Sequence, residues 1–431
     1  MTTPISPGRT AQSVVADCCD DFARTRISRR AMLGTTAGLV GVSMMYGGAE
    51  VRASAAGLAP APSVLVVLSL RGAADGLSLV VPHGDPVYYQ ARPNLAVAAG
   101  QLLARDSMFG LHPALAPLLP MWQAGKLAAI QATGLPVANR SHFAAMEEIE
   151  DASAGSATRV GWLNRLIGLD AITSPVQAVG LGRGVLPTSL SGPAAAMAAA
   201  DLNGISIAGT DGSSAVRRRA SLDTLWGRDK SELGRAARET FASVDAFAPV
   251  VNGSETPANA ATYPSGELGD ALSHAARIVR GDLGVQVITV DQGDWDMHTG
   301  VGTLEWGRLK DNAAVFASAL AAFFTDIGTY ADKVTVVVLS EFGRRVVENA
   351  NYGLDHGHGN VMFLAGAGVI GGRYYGSWPG LTNHDDADLR VTTDYRSVLS
   401  EVVRTRFGVD STSVFPGFVG SSLGVLAPRP T

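Results

Sequence analysis

Carboxylates and imidazoles recur directly after the apolar runs of this chain. Two such groups are Asp294-Trp295-Asp296-Met297-His298 and Asp355-His356-Gly357-His358. Residues at i, i+2 and i+4 share a face of an extended chain, so two carboxylates and an imidazole would converge in the first group. Such a set is typical of ligands for zinc or a hard divalent cation. A solvated loop with an Asx-turn is the alternative.

The second group places two imidazoles two residues apart between glycines, which leave the backbone free to fold around a ligand. Together with His298, we predict that His356 and His358 contact a metal ion, a phosphate or a sulfate, because histidine is the commonest metal ligand. Each histidine alone would more often be a hydrogen-bonded structural residue. Glu341 follows another apolar run, and if it is buried it needs a partner, which a metal ion or Arg344 would supply.

A candidate nucleophile, Ser141, directly precedes the helical pattern at residues 144–149. A serine in this place is typical of a helix N-cap. It would also suit a nucleophile, because the positive end of a helix favours an anionic substrate group. A neighbouring guanidinium would hold the oxygens of a phosphate or sulfate. The predicted catalytic residues are Ser141, Arg140 and His142, and the predicted substrate-binding residues are Arg71 and Arg344.

Alternating strand and helix patterns must position these groups. Helical patterns occupy residues 268–280, 309–330 and 395–406. The alternation predicts an α/β fold, a three-layer α/β/α sandwich around a mostly parallel sheet. Ligands bind such a sheet at the carboxyl ends of its strands, where the polar groups lie. The predicted parallel strands are the apolar runs 64–70, 127–133, 177–181, 285–291, 334–340 and 361–365.

The stretch at about residues 183–264 breaks this alternation. It contains an Ala-rich run, the basic triplet 217–219 and a polar linker. We predict an insertion or cap on the sheet domain, with a continuation of the sheet layers by long helices as the alternative.

The N-terminus has the order of an export signal. Arg29 and Arg30 directly precede the apolar run 31–46, and Ala53-Ser54-Ala55 follows it. This order is typical of a twin-arginine signal peptide, and the run is too short for a stable transmembrane helix. A disordered basic tail beside a short helix is the alternative. We expect a signal peptide at residues 1–55, a mature domain at 56–431, the twin-arginine export machinery as a partner, and a periplasmic or extracellular location.

Composition excludes several kinds of binding site and several classes of protein. Cys18 and Cys19, the only cysteines of the chain, lie inside the predicted signal. The mature part is therefore expected to lack disulfides and thiolate metal sites. A net charge of −5 with one short basic triplet predicts no nucleic-acid partner. No later run suggested a transmembrane anchor, and no Gly-rich dinucleotide motif supports a redox protein.

The order of the motifs resembles the exported bacterial domain-of-unknown-function family fifteen hundred and one. The resemblance extends over about residues 64–419. More distantly, the chain is similar to the alkaline phosphatase and sulfatase superfamily. The motifs that carry the resemblance are residues 68–79, 139–143, 161–163, 295–298, 340–344, 355–360 and 415–417.

The superfamily resemblance implies an alkaline phosphatase-like fold that holds one or two divalent ions (zinc, calcium, magnesium or manganese), with Ser141 as the nucleophile. Glu341-Phe342 departs from the superfamily's Asp-His pair, and phenylalanine cannot bind metal. The implied function is an exported metal-dependent hydrolase of a phosphate or sulfate ester. A non-catalytic exported protein that keeps the fold for binding or assembly is the alternative. The implied metal ligands are Asp75, Asp296, His298, Glu341, His356 and His358.

Overall fold

A computed structural model describes residues 59–152, 159–170, 174–208 and 212–429. The predicted signal peptide, with its paired arginines, both cysteines and the small-residue triplet, lies outside these residues. The strands are β1 (Val64–Leu70), β2 (Val80–Val81), β3 (Gly110–Leu111), β4 (Leu127–Gly134), β5 (Ala178–Leu181), β6 (Met197–Ala199), β7 (Val287–Gln292), β8 (Val334–Leu339), β9 (Asn360–Gly366), β10 (Tyr374–Tyr375) and β11 (Thr393–Asp394). The α-helices are α1 (Gly76–Leu79), α2 (Pro86–Ala91), α3 (Leu119–Gln123), α4 (His142–Asp151), α5 (Trp162–Ile167), α6 (Ala215–Trp226), α7 (Glu232–Val251), α8 (Glu267–Gly281), α9 (Arg308–Ile327), α10 (Tyr395–Val402) and α11 (Ser411–Val414).

Strand β1 shows why the fold has three layers. All its residues are buried, and alternate side chains point to opposite faces of a strand. Val66 and Leu68 pack into one hydrophobic core with α8 and α9. Leu65 and Val67 pack into a second core with α5 and α10. The sheet is therefore covered by helices on both faces, which confirms the predicted α/β sandwich.

The main sheet has the strand order β10-β4-β9-β8-β1-β7-β5-β6, and β11 also pairs with β4. β1 runs parallel to β7 and β8, and β5 runs parallel to β6 and β7. β9 runs antiparallel to both β4 and β8, in contrast to the parallel direction predicted for residues 361–365. The physical reason is that no helix lies between β8 and β9 to carry the chain back across the sheet. The loop before β9 therefore lies at the edge where the parallel strands end.

The stretch predicted as an insertion or cap contributes to the sheet layers. Its strand β6 pairs in parallel with β5 at one end of the sheet. Phe247 and Val250 of α7 are buried in the same core as α8. The described residues form one compact unit.

One described stretch, residues 308–333, is long and apolar enough to cross a membrane, although the sequence had suggested none. It comprises α9 and a short 3-10 helix. Half of it is buried inside the protein, and Phe316, Leu320 and Phe323 lie in the hydrophobic core. Burial of this kind is typical of the core helix of a folded domain.

Candidate metal centre

Four side chains, from the first turn of α4 and from two loops, meet at the carboxyl edge of the sheet. The Nε2 atoms of His142 and His298 each lie 2.9 Å from Nε2 of His356. Oδ1 of Asp296 lies 3.2 Å from Nε2 of His298 and 3.5 Å from Nε2 of the other two histidines. One carboxylate oxygen and three imidazole nitrogens thus face each other, and His142, Asp296 and His356 form a group that could hold a metal ion.

The second ring nitrogen, Nδ1, shows how each imidazole is protonated. In all three rings Nδ1 contacts an oxygen that can only accept a hydrogen bond, so Nδ1 carries the proton. In the neutral ring, Nε2 then carries a lone pair. Lone pairs that face each other at this spacing repel, and a cation between them would remove the repulsion. Metal-binding histidines typically make this outward hydrogen bond. The acceptors are Oε1 of Glu341 for His142 at 2.8 Å, Oδ1 of Asp355 for His298 at 2.8 Å, and the carbonyl oxygen of Arg140 for His356 at 2.9 Å.

The spacing of the four atoms also fits a metal ion. Tetrahedral ligands at the usual zinc–nitrogen distance of 2.0–2.1 Å are about 3.3 Å apart. Five of the six pairwise separations run from 2.9 to 3.5 Å, and the ligand atoms of His142, Asp296 and His356 all lie close to one another. The side chain of Asp296 is 45% exposed and that of His298 41% exposed, so solvent reaches the group. Three imidazoles and a carboxylate match zinc, and imidazole also suits copper, iron and nickel.

A close approach of two loops positions His356. A Cβ at Gly357 would lie 2.4 Å from the carbonyl oxygen of Arg344, so only glycine fits. The amide of Gly357 donates to the Gly343 carbonyl at 2.8 Å, and the amide of Gly343 donates to the His358 carbonyl at 2.9 Å. The loop after β8 therefore runs against the loop before β9, with His356 opposite Arg344.

Arg344 and Glu341 support the group from behind. The buried guanidinium of Arg344 donates to Oδ1 of Asp296 at 2.7 Å and to four backbone carbonyls, including that of Ala73 at 2.7 Å. Its hydrogen bonds are directed within the protein, so the structure places Arg344 as a positioning residue for Asp296. Oε1 of Glu341 accepts from the Gly72 amide at 2.9 Å and from His142. Glu341 therefore orients a ligand histidine.

Phe342 lies where the superfamily pattern has a histidine. It is buried, and its ring centroid is 4.9 Å from that of His142 and 5.1 Å from that of His356. It cannot coordinate a metal ion, but it fills the space behind two imidazoles and limits their rotation.

Two of the predicted metal ligands lie apart from the group. The carboxylate of Asp75 is buried, and its two oxygens accept from the guanidinium of Arg92 at 2.5 and 3.0 Å. Nε2 of His358 lies 2.8 Å from the carbonyl oxygen of Leu135. The structure therefore does not bring Asp75 or the His358 ring nitrogen to the four-atom cluster.

The predicted nucleophile Ser141 is exposed and caps α4, where its Oγ accepts from the Ala144 amide at 3.5 Å. It directly precedes His142. The guanidinium of Arg140 forms an ion pair with Asp388, and the backbone carbonyl oxygen of Arg140 accepts the hydrogen bond from Nδ1 of His356. Ser141 is therefore the sequence neighbour of a cluster residue. The guanidinium of Arg140, predicted to hold substrate oxygens, is instead paired with a carboxylate of the protein.

Arg71, predicted to bind substrate, forms ion pairs with Glu150 at 2.6 Å and Asp291 at 3.0 Å. These three residues line a cleft of about 340 Å³ with Arg183 and Thr188. Arg71 is therefore held by two carboxylates at the wall of a cleft rather than left free.

Electrostatics couple the four side chains of the cluster. Burial opposes charge on Asp296, but the three imidazoles and Arg344 outweigh it and hold the pKa of its carboxyl well below the usual range. Burial also opposes charge on His142, and Asp296 with Glu341 outweighs it and raises the pKa of His142 to about 9. The hydrogen bond to Asp296 raises the pKa of His298. A proton therefore competes with a cation for these nitrogens.

Strand spacing predicted that Asp294 joins Asp296 and His298, but β7 ends at Gln292. Asp294 then adopts a left-handed backbone with φ of 66°, which breaks the alternation of an extended chain. His142 was predicted to be catalytic, but its Nε2 faces the metal position. Asp355 was not predicted as the hydrogen-bond acceptor of His298, although its place directly before His356 in the chain could have indicated it.

Solved structures with some likeness to the chain include three bacterial proteins. The C-terminal periplasmic domain of EcEptC from Escherichia coli, in complex with Zn, is 9% identical with a TM-score of 0.32 and 76% of each chain covered. The PsFucS1 sulfatase from Pseudoalteromonas sp. is 12% identical, with a TM-score of 0.34, 85% of this chain and 72% of that chain covered. The lipoteichoic acid synthase LtaP from Listeria monocytogenes is 10% identical, with a TM-score of 0.34, 86% of this chain and 77% of that chain covered.

None of the curated proteins compared with the chain matches it. A family match is nevertheless extensive, and it includes every member of the four-atom cluster. Residues 62–426 match the family described as "Protein of unknown function (DUF1501)", and the chain belongs to that family.

Proposed function

We propose that the protein is an exported hydrolase of phosphate or sulfate esters that uses one divalent metal ion. His142, Asp296, His298 and His356 would hold the ion. The observation that carries the proposal is the outward hydrogen bond of each Nδ1, which leaves three Nε2 lone pairs facing Oδ1 of Asp296. Zinc fits this donor set best.

The Asp75–Arg92 pair supports one ion rather than two. Asp75 is the carboxylate that the superfamily resemblance assigns to a metal site. Its two oxygens instead accept from a fully buried guanidinium. Both oxygens are thus occupied, and the carboxylate is buried away from solvent.

A bound ion would polarise an ester oxygen and stabilise the charge that develops on it. The amino end of α4 lies at the same edge of the sheet and favours an anionic group there. Ser141 is exposed at this helix end, so its hydroxyl is accessible to an ester.

In the proposed reaction, Oγ of Ser141 bonds to the phosphorus or sulfur, and the alcohol leaves with the serine proton. Water then cleaves the phosphoryl or sulfuryl serine. This second step restores the Ser141 hydroxyl and releases the phosphate or sulfate. The exposed position of Ser141 gives water access for it.

We also propose export by the twin-arginine machinery to the periplasm or beyond, without a membrane anchor or a nucleic-acid partner. Arg29 and Arg30 before an apolar run support this route. Export of the folded chain would allow metal to be acquired before transport.

The test combines metal analysis with turnover of aryl phosphates and aryl sulfates in zinc, manganese, magnesium and calcium. We expect about one ion per chain, given one four-ligand set, and turnover that Ser141→Ala abolishes without removing the ion. Ser231→Ala is the matched control, because Ser231 caps α7 as Ser141 caps α4. Both changes cost about 0.5–2 kcal/mol of stability.

Two results would contradict the proposal. The catalytic assignment fails if Ser141→Ala turns over esters at the wild-type rate. Stoichiometric metal without turnover of either ester class would favour the non-catalytic binding protein instead.

A further inference from the structure

Two exposed aromatic rings lie on loops that contact the loop of the metal centre. Among the described residues, the aromatic side chains with large exposure are Phe143 at 65%, Trp306 at 48% and Tyr352 at 44%. Phe143 directly follows His142. The rings of Trp306 and Tyr352 contact each other edge to face, with centroids 5.6 Å apart. Two exposed rings in contact are more typical of a binding surface than apolar residues that are exposed singly.

The Tyr352 loop is fixed to His298. The side-chain amide of Asn349 donates to the carbonyl oxygen of His298 at 2.9 Å. A Cβ at Gly353 would lie 1.8 Å from the same oxygen, so the loop backbone packs directly on the ligand residue. Any group stacked on Tyr352 is therefore held at a set distance from the metal ligands.

The Trp306 loop belongs to the same body. The amide of Val301 donates to the carbonyl oxygen of Tyr352 at 2.8 Å. The amide of Thr303 donates to the carbonyl oxygen of Trp306 at 2.7 Å, so the Trp306 loop is closed by its own backbone hydrogen bond. The two rings are thus joined through the backbone as well as through their edge-to-face contact.

Tyr352 also carries backbone strain. Its φ is 51°, in the left-handed region that bulky residues rarely adopt. The conformation costs about 1–2 kcal/mol for a residue other than glycine. Strain of this kind is concentrated at binding sites, and here it presents a ring to solvent.

We propose that Trp306 and Tyr352 form a stacking platform for a sugar ring, so that the substrate is a saccharide phosphate or sulfate. A sugar ring has an apolar C–H face for an aromatic ring and hydroxyls for polar neighbours. The neighbours here are polar, including Thr303, Glu305 and Asn351. A hydrocarbon chain would need an apolar cleft instead. This inference rests on the proposed function.

The experiment measures binding of the zinc-loaded full chain to an array of neutral, phosphorylated and sulfated saccharides, with inorganic phosphate and choline phosphate as separate probes. We expect the wild type to bind saccharide esters. Trp306→Ala is expected to weaken that binding about tenfold, as loss of an aromatic contact does, while Trp306→Phe keeps most of it. Metal content and phosphate binding should stay unchanged. Leu225→Ala, an exposed change on α6, is the matched control.

Tyr352→Gly separates binding from folding. Glycine relieves the left-handed strain, so this variant is expected to melt no lower than the wild type while losing saccharide binding. The platform is refuted if wild type binds no saccharide, if both variants bind saccharides like wild type, or if choline phosphate is the ligand that depends on the pair. A chain that keeps saccharide binding but hydrolyses no ester would refute the proposed hydrolase and leave the platform intact.

Discussion

Asp296 and Asp75 are carboxylates that follow neighbouring strands of one sheet, yet they have opposite surroundings. Asp296 follows β7 and is half-exposed, and its Oδ1 faces three imidazole nitrogens while it also accepts from Arg344 at 2.7 Å. Asp75 follows β1, is 4% exposed, and directs both oxygens to Arg92. The residue type is the same, and both residues lie in the loop directly after a strand. Both carboxylates contact a buried guanidinium, but Arg92 takes both oxygens of a buried Asp75, whereas Arg344 contacts Oδ1 of a half-exposed Asp296. Exposure and the number of oxygens already bonded therefore decide whether such a carboxylate is available to a cation.

Among the changes that test this comparison, His356→Ala is expected to have the largest effect on metal content. The change removes the imidazole that lies 2.9 Å from both other ligand nitrogens. We expect the purified chain to lose its metal, measured by elemental analysis after dialysis. The matched variant is His358→Ala, two residues later. It removes one hydrogen bond to Leu135, worth about 0.5–1.5 kcal/mol, and should keep the metal.

An equal loss of metal in both variants would place His358 among the ligands and redraw the cluster. Retention of metal in both would show that the remaining side chains bind it without His356. Circular dichroism on each variant establishes that the fold persists.

Asp75→Ala should affect stability rather than metal content. It leaves the buried guanidinium of Arg92 without its charge partner, which costs about 3–5 kcal/mol in the free energy of unfolding. Urea unfolding of the metal-free chain measures this loss. Asp296→Ala provides the contrast in metal content, because it should remove the ion; it also takes the charge partner from the buried guanidinium of Arg344, so a loss of stability is expected in both variants. Loss of metal from folded Asp75→Ala protein would contradict the contrast.

A smaller effect on metal binding is expected from a change of pH. The metal-free cluster raises the pKa of His142 from 6.5 to about 9, so below that pH a proton must be displaced by the ion. Metal affinity should therefore rise about tenfold per pH unit for each displaced proton and level off near the raised pKa. Chelator competition from about pH 6 upward measures it.

The stability of the metal-free chain should move in the opposite direction. A raised folded-state pKa contributes stability that is fully present below the unfolded value of 6.5 and is lost as pH rises through about 9. Metal affinity that does not change over this range would show that the imidazoles bind no proton in the metal-free state.

The sheet was largely predictable from sequence, because its strands are short buried runs with helical patterns between them. Predicted run 64–70 coincides with β1 (Val64–Leu70), and run 127–133 differs from β4 (Leu127–Gly134) by one residue. The direction of β9 was not predictable from its own residues. An apolar run has the same pattern in either direction, and only the helix-free connection from β8 indicates the reversal.

The site was predictable in part, since motif spacing singled out Asp296, His298 and His356 as metal ligands, and the structure brings these three together. The partner of Asp75 could not be predicted, because Arg92 lies 17 residues away and no local pattern links the two. The placement of His142 depends likewise on a contact across 199 residues to Glu341. Contacts at such separations are set by the packed fold and not by spacing in the chain.

The cluster also has a consequence for the unfolded chain. His142 and His356 are 214 residues apart, and His298 and His356 are 58 residues apart. The unfolded chain does not hold these three imidazoles in one place, so an ion held by all three would bind only the folded chain. Its binding free energy would then contribute to the stability of the fold. The described residues contain no cysteine, so the imidazoles would provide this part of the chain with its long-range cross-link.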